Sequence, residues 1–246
     1  MLTSIRGALA ASLLAGTMLA ATPAFADDGD APSEITITGN VALTSDYRFR
    51  GISLSGGDAA IQGGMTVGHA SGFYVGAWAS SIDDGGTDVF GDQELDIFGG
   101  WSGEVGGGLK LDAGLLYYAY PGSHNSKVNY FEPYASVSAA VGPATVKVGV
   151  TYAWDQKSLG SQDNLYVYSN VDIAIPETPL TINAHVGYTD GFLTLTADGD
   201  AIDYSIGATA SVYGPLSVSV AYVGIEGPSI DSVTNDTVVA TLTAAF

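Results

Sequence analysis

The sequence predicts an all-β protein that closes into an antiparallel transmembrane β-barrel of about 12 strands. Three observations predict this fold. Apolar and polar residues alternate with a period of two in many short stretches, and the connections between them are alternately short and long. Beyond Ala26 no run of 18 apolar residues occurs, so no helix is expected to span a membrane. A chain without such a helix can cross a bilayer only as a closed barrel.

The N-terminus reads as a secretory signal peptide. Arg6 supplies the positive charge, Ala8 to Ala21 the apolar segment, and Ala24-Phe25-Ala26 the cleavage site. A transmembrane anchor is the alternative, although the apolar run is short for one. We therefore divide the chain into a signal peptide (1–26, cleaved after Ala26), a flexible periplasmic leader (27–34) and an outer-membrane barrel (35–246).

The strands follow from Ile35 onwards, each with an apolar face and a small or polar face. The first is taken as Ile35 to Phe49. The next five carry their apolar residues within 61–67, 73–80, 95–101, 109–117 and 131–139. The remaining six lie within 144–155, 165–173, 180–188, 202–208, 216–222 and 238–246. Even strand counts are usual in bacterial single-chain barrels, and they place both chain ends on the periplasmic side.

The stretch ATVKVGVTYAWD shows the pattern most clearly. Val146, Val148, Val150, Tyr152 and Trp154 form one apolar face, and their neighbours are small or polar. About ten residues suffice for a tilted strand to cross a bilayer, and terminal Tyr and Trp suit the membrane interface. A strand of a soluble β-sandwich could show the same pattern. The choice between a sandwich and a membrane barrel therefore depends on how often the pattern recurs along the chain.

The connections are of two kinds. Short turns are built on Gly or Pro near Gly72, Gly107, Gly142, Pro176 and Gly214. The longer ones, rich in Asp, Gly and Ser, cover 51–58, 83–91, 121–128, 156–163, 191–199 and 226–235. Short periplasmic turns with long outer loops are the layout of outer-membrane barrels.

The composition excludes several classes of function. The chain of 246 residues has a formal net charge of -19, only 13% charged residues and no Cys. A nucleic-acid partner is not expected, because binding phosphates needs Lys and Arg. Thiolate chemistry and Cys-ligated zinc are excluded, and no cofactor or metal is predicted.

Charged residues are predicted to line the lumen. Asp46, Arg48 and Arg50 share the predicted inner face of the first strand. Their possible partners on other inner faces are Glu94, Asp96, Lys110, Asp112, Glu132, Lys147 and Asp172. Such a set either forms a charged ladder that narrows a pore, or forms salt bridges that plug a small barrel.

Tyrosines form a second inward set. Tyr130, Tyr134, Tyr166 and Tyr168 are expected on neighbouring strands. Their rings could stack with sugars or nucleosides in transit, or they could simply fill the lumen, as large side chains do in small barrels.

A membrane-embedded hydrolase is the rival class, and it would need a Ser–His arrangement. The candidates are Ser123-His124-Asn125 in a loop and His69 with Ser71 at a short turn, while His185 has no evident Ser–Asp partner in the sequence.

A calcium site is not predicted either, because Asp198, Asp200 and Asp203 lack the spacing of a calcium-binding loop.

The last strand ends on Phe246, with Leu242 in phase on the same face. A terminal aromatic residue on the outer face of a closing strand is expected to be the signal read by the barrel-assembly machinery. Outer-membrane lipid and lipopolysaccharide are the other expected partners.

Several segments resemble the TorF family of bacterial porins. They are Ser45-Asp46-Tyr47-Arg48-Phe49-Arg50-Gly51-Ile52-Ser53, 60–64, 71–80, 94–96 and 117–122. The run Asn129-Tyr130-Phe131-Glu132-Pro133-Tyr134 departs from the family pattern, and Pro133 cannot donate a ladder hydrogen bond. The resemblance implies an outer-membrane channel and no catalytic residues.

We therefore expect an outer-membrane channel for passive diffusion of small hydrophilic solutes, with a weak preference for cations because of the acidic balance. The alternatives are a plugged barrel acting as an adhesin or scaffold, and a lipid-modifying barrel enzyme.

Overall fold

A computed structural model describes residues 34–83, 85–87, 89–124, 128–194, 196, 198–227 and 229–246. Twelve strands pair into one closed antiparallel barrel, which confirms the predicted fold class. The predicted signal peptide (1–26) and nearly all of the leader (27–34) lie outside the described residues and stay predictions. The barrel strands are β1 (Ile35–Thr44), β4 (Ala60–His69), β5 (Phe73–Ser81), β6 (Gln93–Gly106), β7 (Leu109–Ala119), β8 (Tyr130–Val141), β9 (Ala144–Gln156), β10 (Gln162–Ala174), β11 (Leu180–Gly191), β12 (Asp200–Tyr213), β13 (Leu216–Ile225) and β14 (Thr237–Ala245).

The topology is a simple meander that closes on itself. From β4 onwards each barrel strand pairs with the next along the chain, and β1 closes the barrel by pairing with both β4 and β14. A separate two-stranded hairpin, β2 (Arg48–Phe49) with β3 (Ile52–Ser53), stands between β1 and β4, and a 3-10 turn covers Lys157–Leu159. No helix among the described residues is long and apolar enough to span a membrane.

The predicted first strand is wrong at its C-terminal end. β1 stops at Thr44, and the chain then leaves the barrel wall. Val41 and Leu43 are exposed on the outer face as predicted, whereas Tyr47 and Phe49, expected to continue that face, are buried. The alternating pattern continues past Thr44 because the short hairpin β2–β3 also has a period of two.

The outer surface carries an apolar band between two aromatic girdles. Large apolar side chains such as Ile37, Ile61 and Ile206 are exposed along the strands. Near the long loops the outward aromatic residues are Tyr117, Phe131, Tyr152, Trp154, Tyr188, Tyr204 and Tyr222. Near the short turns they are Phe73, Trp101, Tyr213 and Phe246. This distribution is typical of a barrel surface that faces lipid.

Phe246 lies at the seam where the barrel closes. Its backbone N–H donates to Gly39 O at 2.8 Å, and Gly39 N–H donates to Phe246 O at 2.7 Å. The Phe246 ring covers Gly39 so closely that a Cβ there would come within 2.9 Å of it. Leu242 pairs with Leu43 of β1 on the same outer face. The terminal residue therefore belongs to the closing strand pair.

Pro133 interrupts the sheet on one side, as its missing N–H predicts. It faces Leu115 within the β7–β8 pairing, but the pairing of β8 with β9 begins only at Tyr134. Beyond that point the side chain of Gln156 replaces the backbone ladder. Phe131 N–H donates to Gln156 Oε1 at 2.9 Å, and Gln156 Nε2 donates to Phe131 O at 2.8 Å.

Candidate functional site

The segment between β1 and β4, residues 45–59, folds into the barrel and is called the inward loop. Its hairpin turns at Arg50 and Gly51, which have φ values of 49° and 80°. A two-residue hairpin turn with positive φ at both positions matches the twist of the strands that it joins. Gly51 is required for a second reason, because a Cβ there would lie 2.7 Å from Ile225 Cβ and 3.2 Å from Asp203 Cβ.

Asp46 holds the inward loop together. Its Oδ2 accepts a hydrogen bond from Arg48 Nε at 2.6 Å, and its Oδ1 accepts from the hydroxyls of Ser53 at 2.6 Å and Ser55 at 3.2 Å. Ser55 Oγ also accepts from Tyr47 N–H at 2.8 Å. Charge-assisted bonds of this kind are stronger than neutral ones, so one buried carboxylate fixes the path of the loop.

Arg48 connects the inward loop to the loop between β13 and β14. Its Nη1 donates to Val233 O at 3.2 Å and to Asn235 O at 3.0 Å, in addition to Gly51 O at 3.1 Å. Asp46 and Arg48 belong to the inward loop and not to a barrel strand, and each is the other's ion-pair partner.

Arg50 connects the tip of the inward loop to the opposite wall. Its Nη2 donates to Glu132 Oε1 at 2.7 Å and Oε2 at 2.8 Å, and to Thr151 Oγ1 at 3.1 Å. The guanidinium also lies over the Tyr166 ring, 4.3 Å from its centroid. Burial alone would lower the pKa of Arg50, but the Glu132 carboxylate, together with the nearby Tyr118 and Tyr130, raises that pKa above its ordinary value. Of the partners expected for the arginines, Glu132 is the one that the structure assigns to Arg50.

The hydrophobic core of the molecule lies inside the barrel, in the half nearest the long loops. The inward loop contributes Tyr47 and Phe49 to this core. The strands and other loops contribute Ala60, Phe98, Leu116, Tyr118, Tyr120, Val128, Tyr130, Ala153 and Leu159. Packed side chains therefore narrow the lumen at this end. The inward loop, which includes the family-like residues 45–53, contributes to this narrowing.

The half of the lumen near the short turns contains a looser polar set. Tyr74 donates to Asp112 at 2.5 Å and lies 2.5 Å from the Tyr134 hydroxyl. Lys147 Nζ lies 6.0 Å from the centroid of the Tyr168 ring. The other predicted members in this half are Asp172, which accepts a hydrogen bond from Asn183 Nδ2 at 2.8 Å, and Lys110, which is exposed.

The predicted tyrosine patch is divided, and the neighbouring-strand assignment is wrong because β9 separates β8 from β10. Tyr130 stacks on Tyr118 with ring centroids 4.4 Å apart, and Tyr166 stacks on Tyr168 at 5.5 Å. The rings of Tyr166 and Tyr168 lie close to the barrel wall, where Gly187 and Gly149 face them. A Cβ at Gly149 would overlap the Tyr168 ring. The two glycines thereby leave room for these rings beside the strand backbone.

His185 has partners that the sequence alone did not reveal. Its Nε2 lies 2.8 Å from Asp203 Oδ1 and 2.9 Å from the Tyr166 hydroxyl, and its Nδ1 lies 2.5 Å from Asn170 Oδ1. In the sequence, Asp203 alternates with the outward residues Ile202 and Tyr204, and this alternation alone predicts that it faces the lumen. Ser205 is paired across from His185 in the β11–β12 ladder. Both ring nitrogens are already engaged, so the geometry does not activate the Ser205 hydroxyl.

The other hydrolase candidates form ordinary local contacts. His69 Nδ1 lies 2.7 Å from Ser71 Oγ and also accepts from Ser71 N–H at 3.1 Å, at an exposed turn. Ser123 Oγ donates to Val89 O at 2.5 Å. Asn125 lies outside the described residues. Within the described part of the chain, no group of three or more His, Asp or Glu side chains is arranged to hold a metal ion.

Two inward carboxylates on β6 lack cationic partners. Glu94 is 1% exposed, and neither of its oxygens has a hydrogen-bond partner among the described residues. Asp96 is 6% exposed, and its Oδ1 is also unsatisfied. Burial raises the pKa of the Tyr47 hydroxyl, and the charges of Glu94 and Asp96 beside it raise it further. The arginines expected to face these carboxylates instead pair with Asp46 and Glu132.

A cavity of about 130 Å³ lies between the inward loop and the barrel wall. Asp96, Trp78 and Tyr118 line it on one side, and Asp203 and Ser205 on another. The polar groups of the lumen therefore surround space that a small molecule can occupy.

A closed barrel of twelve antiparallel strands, with large apolar side chains exposed on its outer face, has the architecture of a transmembrane β-barrel. The chain belongs to the family described as bacterial protein of unknown function (Gcw_chp), which matches residues 28–246. Comparison with curated proteins gave no match.

Solved structures similar to this chain include porins and a channel. The NanC porin has a TM-score of 0.58 and 11% sequence identity, covering 86% of this chain and 99% of its own. The KdgM porin has a TM-score of 0.56 and 10% identity, covering 85% of this chain and 97% of its own. An outer membrane channel from Pseudomonas putida F1 has a TM-score of 0.50 and 12% identity, covering 90% of this chain and 99% of its own. At these identities the likeness shows the fold.

Proposed function

We propose that the protein is a narrow outer-membrane channel for the passive diffusion of small hydrophilic solutes. The observation that carries this proposal is a cavity of about 130 Å³ inside a closed barrel, where polar side chains such as Asp96, Asp203 and Ser205 lie among aromatic and aliphatic ones. An apolar band between two aromatic girdles suits a lipid environment, and a polar interior suits water and solutes. The porin names of the similar structures support the same class.

The channel is proposed to prefer cations weakly. Inward carboxylates outnumber inward Lys and Arg among the described residues, and the chain as a whole has a formal net charge of -19. Acidic groups at a mouth and along a low-dielectric wall raise the local concentration of cations. The proposed pore-lining set comprises Asp46, Arg48, Arg50, Glu94, Asp96, Lys110, Asp112, Glu132, Lys147, Asp172, Tyr130, Tyr134, Tyr166 and Tyr168.

The inward loop is proposed to set the width of the channel. It enters the lumen at the long-loop end and is tied to the wall through Arg50 and Glu132 at 2.7 Å. The ion pairs of the arginines therefore narrow the pore. A loop constriction of this kind determines which solutes pass by size and charge.

The cellular setting is a proposal of the same kind. The signal peptide would direct export of the chain and be cleaved after Ala26. The barrel-assembly machinery would then insert the barrel into the outer membrane, where lipid and lipopolysaccharide would surround it. The resemblance of residues 45–53 to the TorF family of porins supports this setting, since that segment forms the constricting hairpin.

The second candidate is a plugged structural barrel that acts as an adhesin or scaffold, and the packed core between the inward loop and the wall favours it. Liposome swelling distinguishes the two. Vesicles containing the refolded protein are expected to swell in small solutes faster than empty vesicles. Swelling at the rate of empty vesicles would refute the channel and leave the plugged barrel.

A further inference from the structure

We propose that the cavity in the lumen binds a small organic cation through a primary ammonium group. This inference rests on the proposed channel function and deepens it, because it names the chemical class of the solute. The site consists of Asp96 on β6, Asp203 and Ser205 on β12, and the aromatic side chains of Tyr47 and Trp78.

The first argument concerns unsatisfied acceptors. Asp96 Oδ1, Asp203 Oδ2 and Ser205 Oγ are buried, and none has a hydrogen-bond partner within the described part of the protein. All three residues line the same cavity and are at least nine-tenths buried. Buried polar atoms are normally hydrogen-bonded, so unsatisfied acceptors on two sides of one cavity indicate a ligand that donates N–H bonds.

The second argument concerns charge. Arg48 is occupied by Asp46, and Arg50 is occupied by Glu132. His185 contacts the other oxygen of Asp203, at 2.8 Å. Asp96 forms no ion pair among the described residues, and neither carboxylate oxygen of buried Glu94, which shares its inner face, meets hydrogen-bond geometry there. A bound cation supplies the charge that the protein lacks at this point.

The third argument concerns the remaining wall. The Tyr47 and Trp78 rings meet edge to face with centroids 5.5 Å apart, and Tyr118 also lines the cavity. Aromatic rings attract cations and pack against short alkyl chains. Acceptors together with aromatic rings fit an alkylammonium ion. An inorganic cation has no alkyl chain to pack against the rings, and a quaternary ammonium ion has no N–H to donate.

Tryptophan fluorescence tests binding directly, since Trp78 is one of three Trp residues and the other two, Trp101 and Trp154, lie on the outer face. A W101F/W154F protein in detergent micelles retains Trp78 as the only reporter. Titration with n-butylammonium is expected to give a saturable change. Tetramethylammonium and K⁺ are expected to bind at least about tenfold more weakly, because a charge-assisted hydrogen bond is lost.

Substitutions in the same reporter background locate the site. Asp96→Asn is expected to weaken n-butylammonium binding at least about tenfold, through the loss of one charged acceptor. Asp190→Asn removes the same charge from an exposed position away from the cavity and is expected to leave binding unchanged. Ser205→Ala, which removes one hydroxyl, provides a second variant with an expected weakening if Asp96→Asn does not fold.

Two results would overturn the proposal. One is binding of n-butylammonium that survives both Asp96→Asn and Ser205→Ala, and the other is tetramethylammonium binding as tightly as n-butylammonium. Equilibrium binding needs no conduction. A protein that binds n-butylammonium but does not make liposomes swell would therefore refute the channel and keep the site. A protein that makes liposomes swell but does not bind n-butylammonium would refute the site alone.

Discussion

Arg50 Nη2 donates to both carboxylate oxygens of Glu132, at 2.7 and 2.8 Å, and this pair joins the tip of the inward loop to β8. Arg50 is 4% exposed and Glu132 1% exposed, so neither charge is solvated. Arg50 itself has a φ of 49°, a backbone conformation that is unfavourable for a residue other than glycine. The contacts of its side chain offset that cost. This ion pair therefore fixes the tip of the inward loop against the opposite wall.

Arg50→Ala is expected to release the inward loop and raise single-channel conductance in a planar bilayer. Leaving Glu132 buried without its partner should also lower the free energy of unfolding by about 3–5 kcal/mol. Lys110→Ala removes a positive charge from an exposed inward position and should change conductance less. Equal conductance for Arg50→Ala and the wild type would remove the loop from the constriction.

Arg48→Ala tests the second tie. Arg48 Nη1 bonds to the carbonyls of Val233 and Asn235, at 3.2 and 3.0 Å, so its loss should free the inward loop from its neighbour. We expect a higher conductance than that of the wild type in the same bilayer recording. Unchanged conductance and unchanged ion selectivity would show that Arg48 serves only the internal structure of the loop.

Gln156→Ala should destabilise the barrel by about 1–3 kcal/mol, since two hydrogen bonds that replace backbone pairing at Phe131 are lost. Urea unfolding of the protein in lipid vesicles, followed by tryptophan fluorescence, measures this. Gln93→Ala, at an exposed end of β6, is the matched control and should be near neutral. Equal stabilities for the two variants would contradict the role assigned to Gln156.

Gly149→Ala tests the close approach of the lumen aromatics to the wall. A Cβ at 149 overlaps the Tyr168 ring, so overpacking should cost about 1–3 kcal/mol of unfolding free energy. At Gly68, also inside a barrel strand, the nearest atom to a new Cβ would be Thr36 O at 4.0 Å. Gly68→Ala should therefore be tolerated, and a loss as large as that of Gly149→Ala would contradict the packing argument.

The barrel was predictable from the sequence because each strand carries its own period-two pattern and each short turn its own Gly or Pro. The end of β1 was not. The alternation of Asp46, Arg48 and Arg50 continues that of the strand, and it is long-range contacts, such as that of Arg50 with Glu132, that place the segment inside the lumen. The partner of an arginine depends on tertiary structure, which local periodicity does not contain.

The sequence predicted which side chains point into the lumen, but it did not predict which of them contact each other. The inward position of Tyr130 and Tyr166 follows from alternation, but stacking against Tyr118 and contact with Arg50 depend on which strands lie side by side. Pro133 is the opposite case. Its missing N–H predicted the local loss of pairing, and the structure adds the replacement by Gln156.

The most direct test of the account is the reversal potential of the refolded wild-type protein in a planar bilayer under a KCl gradient. A channel with an acidic lumen should conduct with a small reversal potential of the sign that indicates cation selectivity. Anion selectivity would contradict the charge argument, and the absence of any conductance would contradict the channel itself.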